Sequence, residues 1–434
     1  MMMSRIAGKW PADARHYCIQ LNPDGRGGGN MTLKPVEFRN GALSDLRVLE
    51  LGTLLAGPFC GQLLGDMGAE VIKIEPPEQG DPMRVWGRQQ PDDPSLWWPV
   101  IARNKKAISL DLRQADGQQV LKELIAHADF LLENFRPGTL EKWGLGYDAL
   151  AAINPRLIMI RVSGYGQSGP YAHRAGFGAI GEAMGGLRYV VGDPSRPPSR
   201  MGISIGDSLA ATFACVGALS ALHYREKTGR GQMVDSAIYE AVLGMMESLI
   251  TEYDKLGFVR ERTGAILPNI APSNIYPTRD GLVLIAANQN TVFKRLCEAM
   301  GSAQLADHPD YANHQVRGRH QAQLDELIGR WSSRLPTREV LDLMDRHGVP
   351  AGLIYRAQDM LADPQFMARE AIVTVKHPRF GDLKLQNVVP KLSETPGGIR
   401  SASPELGQHN EEIYLKLMNM PAQRFEELKL KRVI

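Results

Sequence analysis

"LRVLELGTLLAGPFCGQLLGDMGAEVIKIE", residues 46–75, reads as strand, helix, strand. "LRVLELG" is a short apolar run, "LLAGPFCGQLLGDMG" spaces its apolar residues as a helix does and stops at Gly68, and "AEVIKIE" is again an apolar strand. The alternation continues outward. "KAISLDL" (106–112) is a strand, "DGQQVLKELIAHA" (116–128) a helix, and "DFLLENF" (129–135) and "RLIMIRVSGYG" (156–166) are strands. Apolar runs alternating with amphipathic helices at this spacing predict an α/β domain, a parallel doubly wound sheet covered on both faces. Ligands of such sheets bind at the carboxyl ends of the strands. The loops there read "GTLLAGP", "EPPEQGDPMR", "ENFRPG" and "SGYGQSGP".

At 434 residues the chain is long for one core, so two domains are expected. Pro and Gly gather in "RTGAILPNIAPSNIYPTRDG" (262–281), a boundary after the helical periodicity of "VDSAIYEAVLGMMESLITEYDKL" (234–256). The strand "LVLIAA", helices across 291–346, "GLIYRA" and the hairpin "AIVTVKHPRFGDLKLQNVV" follow. The expected organisation is a large domain over 44–235, a linker helix over 236–262, a smaller α+β domain over 263–354 and a returning segment over 355–434. Residues 1–43, with "NPDGRGGGN", lack an apolar pattern and are expected to form a disordered extension.

The 50 basic and 48 acidic residues are well mixed, which argues against a nucleic-acid or membrane-surface footprint. No run approaches the roughly 18 apolar residues that a spanning helix needs, so no membrane-embedded segment is expected. Four cysteines lie far apart without a CxxC pair, as expected of reduced thiols in the cytoplasm, or in the mitochondrial matrix of a eukaryote. His308, His314 and His320 are six residues apart and cannot share one helical face as a metal site, so no metal is expected.

Three motifs compete for the chemistry. "GFGAIG" (176–181) matches a dinucleotide fingerprint, but it follows its nearest strand by about a dozen residues rather than joining it directly, so close packing explains its glycines better. "GISIG" (202–206) offers Ser204 as an acyl-transfer nucleophile, with His409 as base. Its flanking Ile203 and Ile205 favour an extended run over the strained elbow that such a serine needs. Asp207 stands between apolar residues and a long, nearly uncharged helix. It is either a helix N-cap or a carboxylate nucleophile, and the two roles are compatible.

The stretches "ARNKKAISLDLR", "DFLLENFRPGTLEKWGLGYDAL", "IRVSGYGQSGPYAHRAGF", "IGDSLAATFACVGALSALHYREKTGRGQ" and "ELGQHNEEIYLKL", together with residues 46–84, resemble the class III coenzyme A transferases of CaiB/BaiF type over roughly 44–434. The resemblance implies ring-shaped subunits interlocked as a homodimer, each with a Rossmann-like large domain closed by the C-terminal segment. It places the catalytic aspartate at Asp207, which would pass through an anhydride and an aspartyl-CoA thioester. It implies CoA contacts at Leu55, Ala56, Arg103, Asn104, Lys105, Asn134, Phe135, Arg136 and Lys142, with Tyr165 and Gln167 near the thioester, and no cofactor beyond coenzyme A as co-substrate. The stretch "IYPTRDGLVLIAANQN" resembles the subgroup that takes CoA from succinyl-CoA to short dicarboxylates such as glutarate, malate, itaconate or mesaconate. Arg174 and Arg200 are candidate partners for the second carboxylate. Two departures matter. The glycine run that resembles a lid in formyl-CoA transferases is missing, and Phe177 stands where the related racemases carry a histidine, so racemisation lacks half of its proton-transfer pair.

Overall fold

The computed structural model describes residues 41–87 and 95–434, together with the backbone of an antiparallel pair, Tyr17–Ile19 with Leu33–Pro35. Apart from that pair and residues 41–43, the expected disordered extension lies outside the described residues.

The parallel sheet begins as the sequence predicts. Strand β1 (Arg47–Glu50) leads through helix α1 (Ala56–Asp66) to β2 (Glu70–Glu75), then come β3 (Lys105–Ser109), helix α2 (Ala115–Ile125), β4 (Phe130–Glu133) and β5 (Ile158–Ser163). Helix α3 (Gly178–Met184), helix α4 (Ile205–Thr228) and β6 (Met233–Ala237) complete it. The strand order is β3-β2-β1-β4-β5-β6. The chain builds one way to β3 and then returns to place β4 beside β1. Ligands of such sheets bind at the reversal point, beyond the carboxyl ends of the strands on either side, where here the residues after Leu51 and Glu133 emerge.

The chain forms two compact units, residues 1–51, 61–131 and 388–434, and residues 52–60 and 132–387. In the first, β1, β2 and β3 pair in parallel, with Arg47 opposite Glu70 and Val71 opposite Lys105. Val48, Leu49, Ile72, Ala107 and Ile108 are fully buried, as a sheet covered on both faces requires. Charges are buried there too. Lys105 pairs with Glu50 at 2.8 Å, and Lys73 meets Asp81 at 2.7 Å and Glu50 at 3.3 Å. The returning C-terminal residues line the outer strand. Asn410 accepts the Ser109 N–H at 3.0 Å, and the Tyr414 hydroxyl donates to the Ser109 carbonyl at 2.7 Å. An edge that would otherwise offer open backbone groups is thereby covered.

In the second unit β5 and β6 pair in parallel, Met159 opposite Met233, and α4 lies on them through a small-residue face. Ala210, Ala211, Ala214 and Ala218 are fully buried, and the Ser236 hydroxyl donates to the Ala210 carbonyl at 2.9 Å. The helix expected across 234–256 is a correction. Residues 233–237 form β6 because β5 offers them an open edge, and tertiary pairing overrides the local helical spacing. Helix follows only as α5 (Ile238–Leu243) and α6 (Leu249–Leu256), interrupted at Gly244. Further on, β7 (Ser273–Pro277), β8 (Leu282–Ala286) and β9 (Ala351–Leu353) make an antiparallel sheet in the order β9-β8-β7. Helices pack Phe293, Leu296, Leu324, Ile328 and Met344 against its Tyr276, Val283 and Ile285. The predicted hairpin is β10 (Ile372–His377) with β11 (Gly381–Gln386).

Helix α4 is also long and apolar enough, by length and composition alone, to cross a membrane, because polar residues interrupt its apolar run without lowering the average far. Its alanine face is occupied by β5 and β6, while Phe213, Val216 and Leu219 on the same helix are exposed.

Candidate active site

Asp207 occupies the first turn of α4, three residues beyond Ser204, which holds the N-cap position. The expectation that Asp207 itself caps the helix is therefore corrected, since the chain turns helical one residue after Ser204. The Ser204 hydroxyl makes no capping bond and instead accepts from Arg200 at 3.3 Å. Among the described residues no hydrogen bond reaches the Asp207 carboxylate. Burial pushes its pKa from 3.8 up to about 6, the negative charge of Glu182 adds to the rise, and Arg200 opposes it.

The glycines of 176–181 explain how the carboxylate is accommodated. Gly178 opens α3, and a Cβ on it would lie 2.2 Å from Asp207 Oδ2. Gly176 approaches Gly164 so closely that a Cβ on either would lie 2.7 Å from the other's Cα. These glycines serve close packing, as the sequence suggested, and they join the loop after β5 to the surroundings of Asp207. On that loop Tyr165 stands edge-on to Tyr171 at 6.0 Å, and the Gln167 N–H donates to Asp235 at 2.8 Å. The Gln167 side-chain Nε2 is buried without a hydrogen-bond partner, which leaves an amide donor open. Arg174 stacks over Tyr171 at 3.7 Å.

Asn134 clamps the turn after β1. It accepts the Thr53 N–H at 2.8 Å and donates to the Thr53 carbonyl at 2.9 Å. Leu55 and Ala56 follow in that turn, with Ala56 buried and Leu55 partly exposed. Phe135 sits edge-on to Trp143 at 5.9 Å, while Arg136 and Lys142 are exposed on the same loop and the short helix after it. Arg136 and Lys142 can therefore reach an anion.

Residues 103–105 differ from what the resemblance implies. Arg103 is buried and tied to Asp66 at 2.6 Å, and Lys105 is buried against Glu50. Asn104 donates to Asp66 Oδ1 at 2.7 Å and to the Gly398 carbonyl at 2.9 Å, and it accepts the Arg400 N–H at 2.7 Å. Two neutralised cations inside a core are poor phosphate ligands, so in this structure the three residues support the loop rather than face solvent. Sequence showed their charges but not their partners, which are 37 to 55 residues or more away.

The rival serine nucleophile lacks its elbow. Ser204 stands at a helix cap rather than between strand and helix, and His409 Nδ1 accepts the Ala107 N–H at 3.1 Å. Glu182 and Asn134's partner Thr53 were missed; the single acidic residue within "GFGAIGEAMGG" was the available signal for Glu182.

A partly buried carboxylate fitted against Gly178, beside a parallel sheet, is the arrangement to set against known proteins. The profile of CoA-transferase family III matches residues 43–410. Succinyl-CoA–D-citramalate CoA-transferase of Chloroflexus aurantiacus is 60% identical over 393 residues, 90% of this chain and 98% of that protein. The β subunit of succinyl-CoA–L-malate CoA-transferase from the same organism is 42% identical over 396 residues, again 90% and 98%. A CaiB/BaiF family protein from Brucella suis superposes with a TM-score of 0.78 at 33% identity, over 87% of this chain and all of that one. The chain belongs to CoA-transferase family III. It is an enzyme that moves coenzyme A between carboxylic acids.

Proposed function

We propose that the enzyme transfers CoA from succinyl-CoA to a short dicarboxylate, D-citramalate first and L-malate second, with Asp207 as covalent nucleophile. The observation that carries the mechanism is the Asp207 carboxylate itself, partly buried, free of hydrogen bonds among the described residues and fitted against Gly178. The two relatives' activities and the subgroup resemblance carry the choice of acids.

In the first step the Asp207 carboxylate attacks the succinyl-CoA carbonyl, and the C–S bond breaks to give a mixed anhydride and CoA thiolate. The thiolate then attacks the aspartyl carbonyl, forming an aspartyl-CoA thioester and releasing succinate. The acceptor carboxylate attacks this thioester, restoring an anhydride and thiolate, and the thiolate attacks the acceptor carbonyl to release the new acyl-CoA and free Asp207. Each step exchanges one acyl bond for another, so thioester energy is conserved. The open Nε2–H of Gln167 is a suitable donor to the developing oxyanion. Leu55, Ala56, Asn134 and Phe135 form the CoA crevice, with Arg136 and Lys142 toward its phosphates. Arg200 pairs with the acceptor's second carboxylate.

Incubation with succinyl-CoA and a panel of acids tests this. Citramalyl-CoA and malyl-CoA are expected to form fastest, and hydroxylamine trapping followed by peptide mass spectrometry should mark Asp207. Modification elsewhere, or thioester hydrolysis without transfer, would remove the reading.

The reading includes a homodimer in the cytoplasm. Supporting the first, Phe213, Val216 and Leu219 of α4, and Ile250, Tyr253 and Leu256 of α6, are exposed in the single chain. Supporting the second, Cys60, Cys215 and Cys297 are not joined in disulfides. Light scattering after gel filtration is expected to give twice the 47.9 kDa of the chain. A fully active species of single-chain mass would refute the dimer.

A further inference from the structure

Glu182 lies in α3, one turn beyond Gly178, and is only 2% exposed. Its Oε2 accepts from Arg188 Nε at 2.9 Å, and its Oε1 faces the Gly206 N–H at 3.5 Å. A Cβ on Gly206 would meet Glu182 Cγ at 3.0 Å, so the carboxylate stem is packed directly against the start of α4. Burying a carboxylate costs several kcal/mol before its partners compensate it, and a neutral side chain would fill this space without that cost.

The N-terminus of α4 shows what the charge can do there. A helix leaves its first N–H groups without internal partners, and Ser204 makes no capping bond. An acidic residue at the Asp207 position ordinarily turns back to satisfy the donors of its own helix end. Here Glu182 Oε1 stands 3.5 Å from the Gly206 N–H, from a different helix, and the Asp207 carboxylate remains without a hydrogen bond among the described residues. Gly178, on the same helix as Glu182, leaves the room that this carboxylate occupies.

We propose that Glu182 is a positioning residue for the transfer: packed against the start of α4, it sets a second negative charge beside Asp207, so that the nucleophile stays electron-rich. This rests on Asp207 being the nucleophile. The charges that act on Asp207 are Glu182 from α3 and Arg200 from the segment before α4. Arg188 is paired with Glu182 itself, α4 contributes no other acid in its first turn, and Glu240 of α5 is occupied by the Tyr239 hydroxyl at 2.9 Å.

The test is the pH dependence of adduct formation on Asp207, measured by quenched mass spectrometry with succinyl-CoA and no acceptor, for the wild type and Glu182→Gln. Gln keeps the size and the acceptor oxygen and removes only the charge. The wild type is expected to gain the adduct with a midpoint at about pH 6. In Glu182→Gln the midpoint should fall by roughly half to one pH unit, and the plateau rate by about three- to tenfold, because a less basic carboxylate attacks more slowly. If the single substitution prevents folding by isolating Arg188, Glu182→Gln with Arg188→Met removes the pair together and should show the same downward shift. An adduct on Asp207 with an unmoved midpoint would overturn the role of Glu182 while leaving the nucleophile in place. Absence of any adduct on Asp207 in the wild type would overturn the nucleophile reading and this inference with it.

Discussion

Asp207→Asn is expected to lose CoA transfer by at least about 10⁴-fold, because it removes the atom that accepts the acyl group and no other side chain can substitute. Asp207→Ala should lose as much. The same change should stabilise the fold. A carboxylate whose folded pKa is raised stabilises the protein only in its protonated form, and that contribution is lost as pH rises through the folded value. For Asp207 the window runs from 3.8 to about 6. Two pKa units correspond to about 3 kcal/mol as an upper limit, and partial exposure reduces this to about 1–2 kcal/mol. Asp207→Asn should therefore melt about one to two degrees higher than the wild type at pH 8, with the difference disappearing near pH 4. Thermal unfolding at the two pH values, beside the transfer assay, checks both halves. Turnover in the Asn variant within about 10³-fold of the wild type, or a melting gain that is the same at both pH values, would contradict both expectations.

Gly178→Ala should reduce kcat by about 100-fold while leaving KM for succinyl-CoA nearly unchanged, as expected when a reacting group is displaced by about 1 Å. The added methyl would stand 2.2 Å from Asp207 Oδ2 and 2.7 Å from its Cγ, distances no Cβ tolerates, so either the carboxylate rotates away or α3 shifts. Helix propensity works in the other direction, since Ala is favoured over Gly within a helix by about 1 kcal/mol. The variant should consequently fold and bind CoA while reacting poorly. Stopped-flow or coupled assays at saturating donor separate these effects, and a kcat within twofold of the wild type would show that the carboxylate has freedom to move.

The fold was readable where local patterns and tertiary pairing agree. The first strand–helix–strand unit, the positions of β3 to β5 and the late hairpin follow from apolar spacing, because both faces of the sheet are covered and every strand residue must be apolar or paired. Reading failed at Met233–Ala237, where helical spacing is real but a neighbouring strand offers an edge, and at Ser273–Pro277, whose prolines read as a boundary. Asp207 stood out in the sequence because a lone carboxylate between apolar residues is unusual. The sequence was misleading at 103–105, where Arg103 and Lys105 look like anion ligands until Asp66 and Glu50 are seen against them.

Sequence alone determined that the chain makes a doubly wound sheet and pointed to Asp207 as the candidate nucleophile, since both depend on residue type and near-neighbour spacing. Only the tertiary structure decided which charges are available for chemistry. Whether a carboxylate is bound by a cation, as Glu50 and Asp66 are, or left open against a glycine, as Asp207 is, depends on partners far along the chain, and electrostatic interaction depends on distance and burial rather than on order in the sequence.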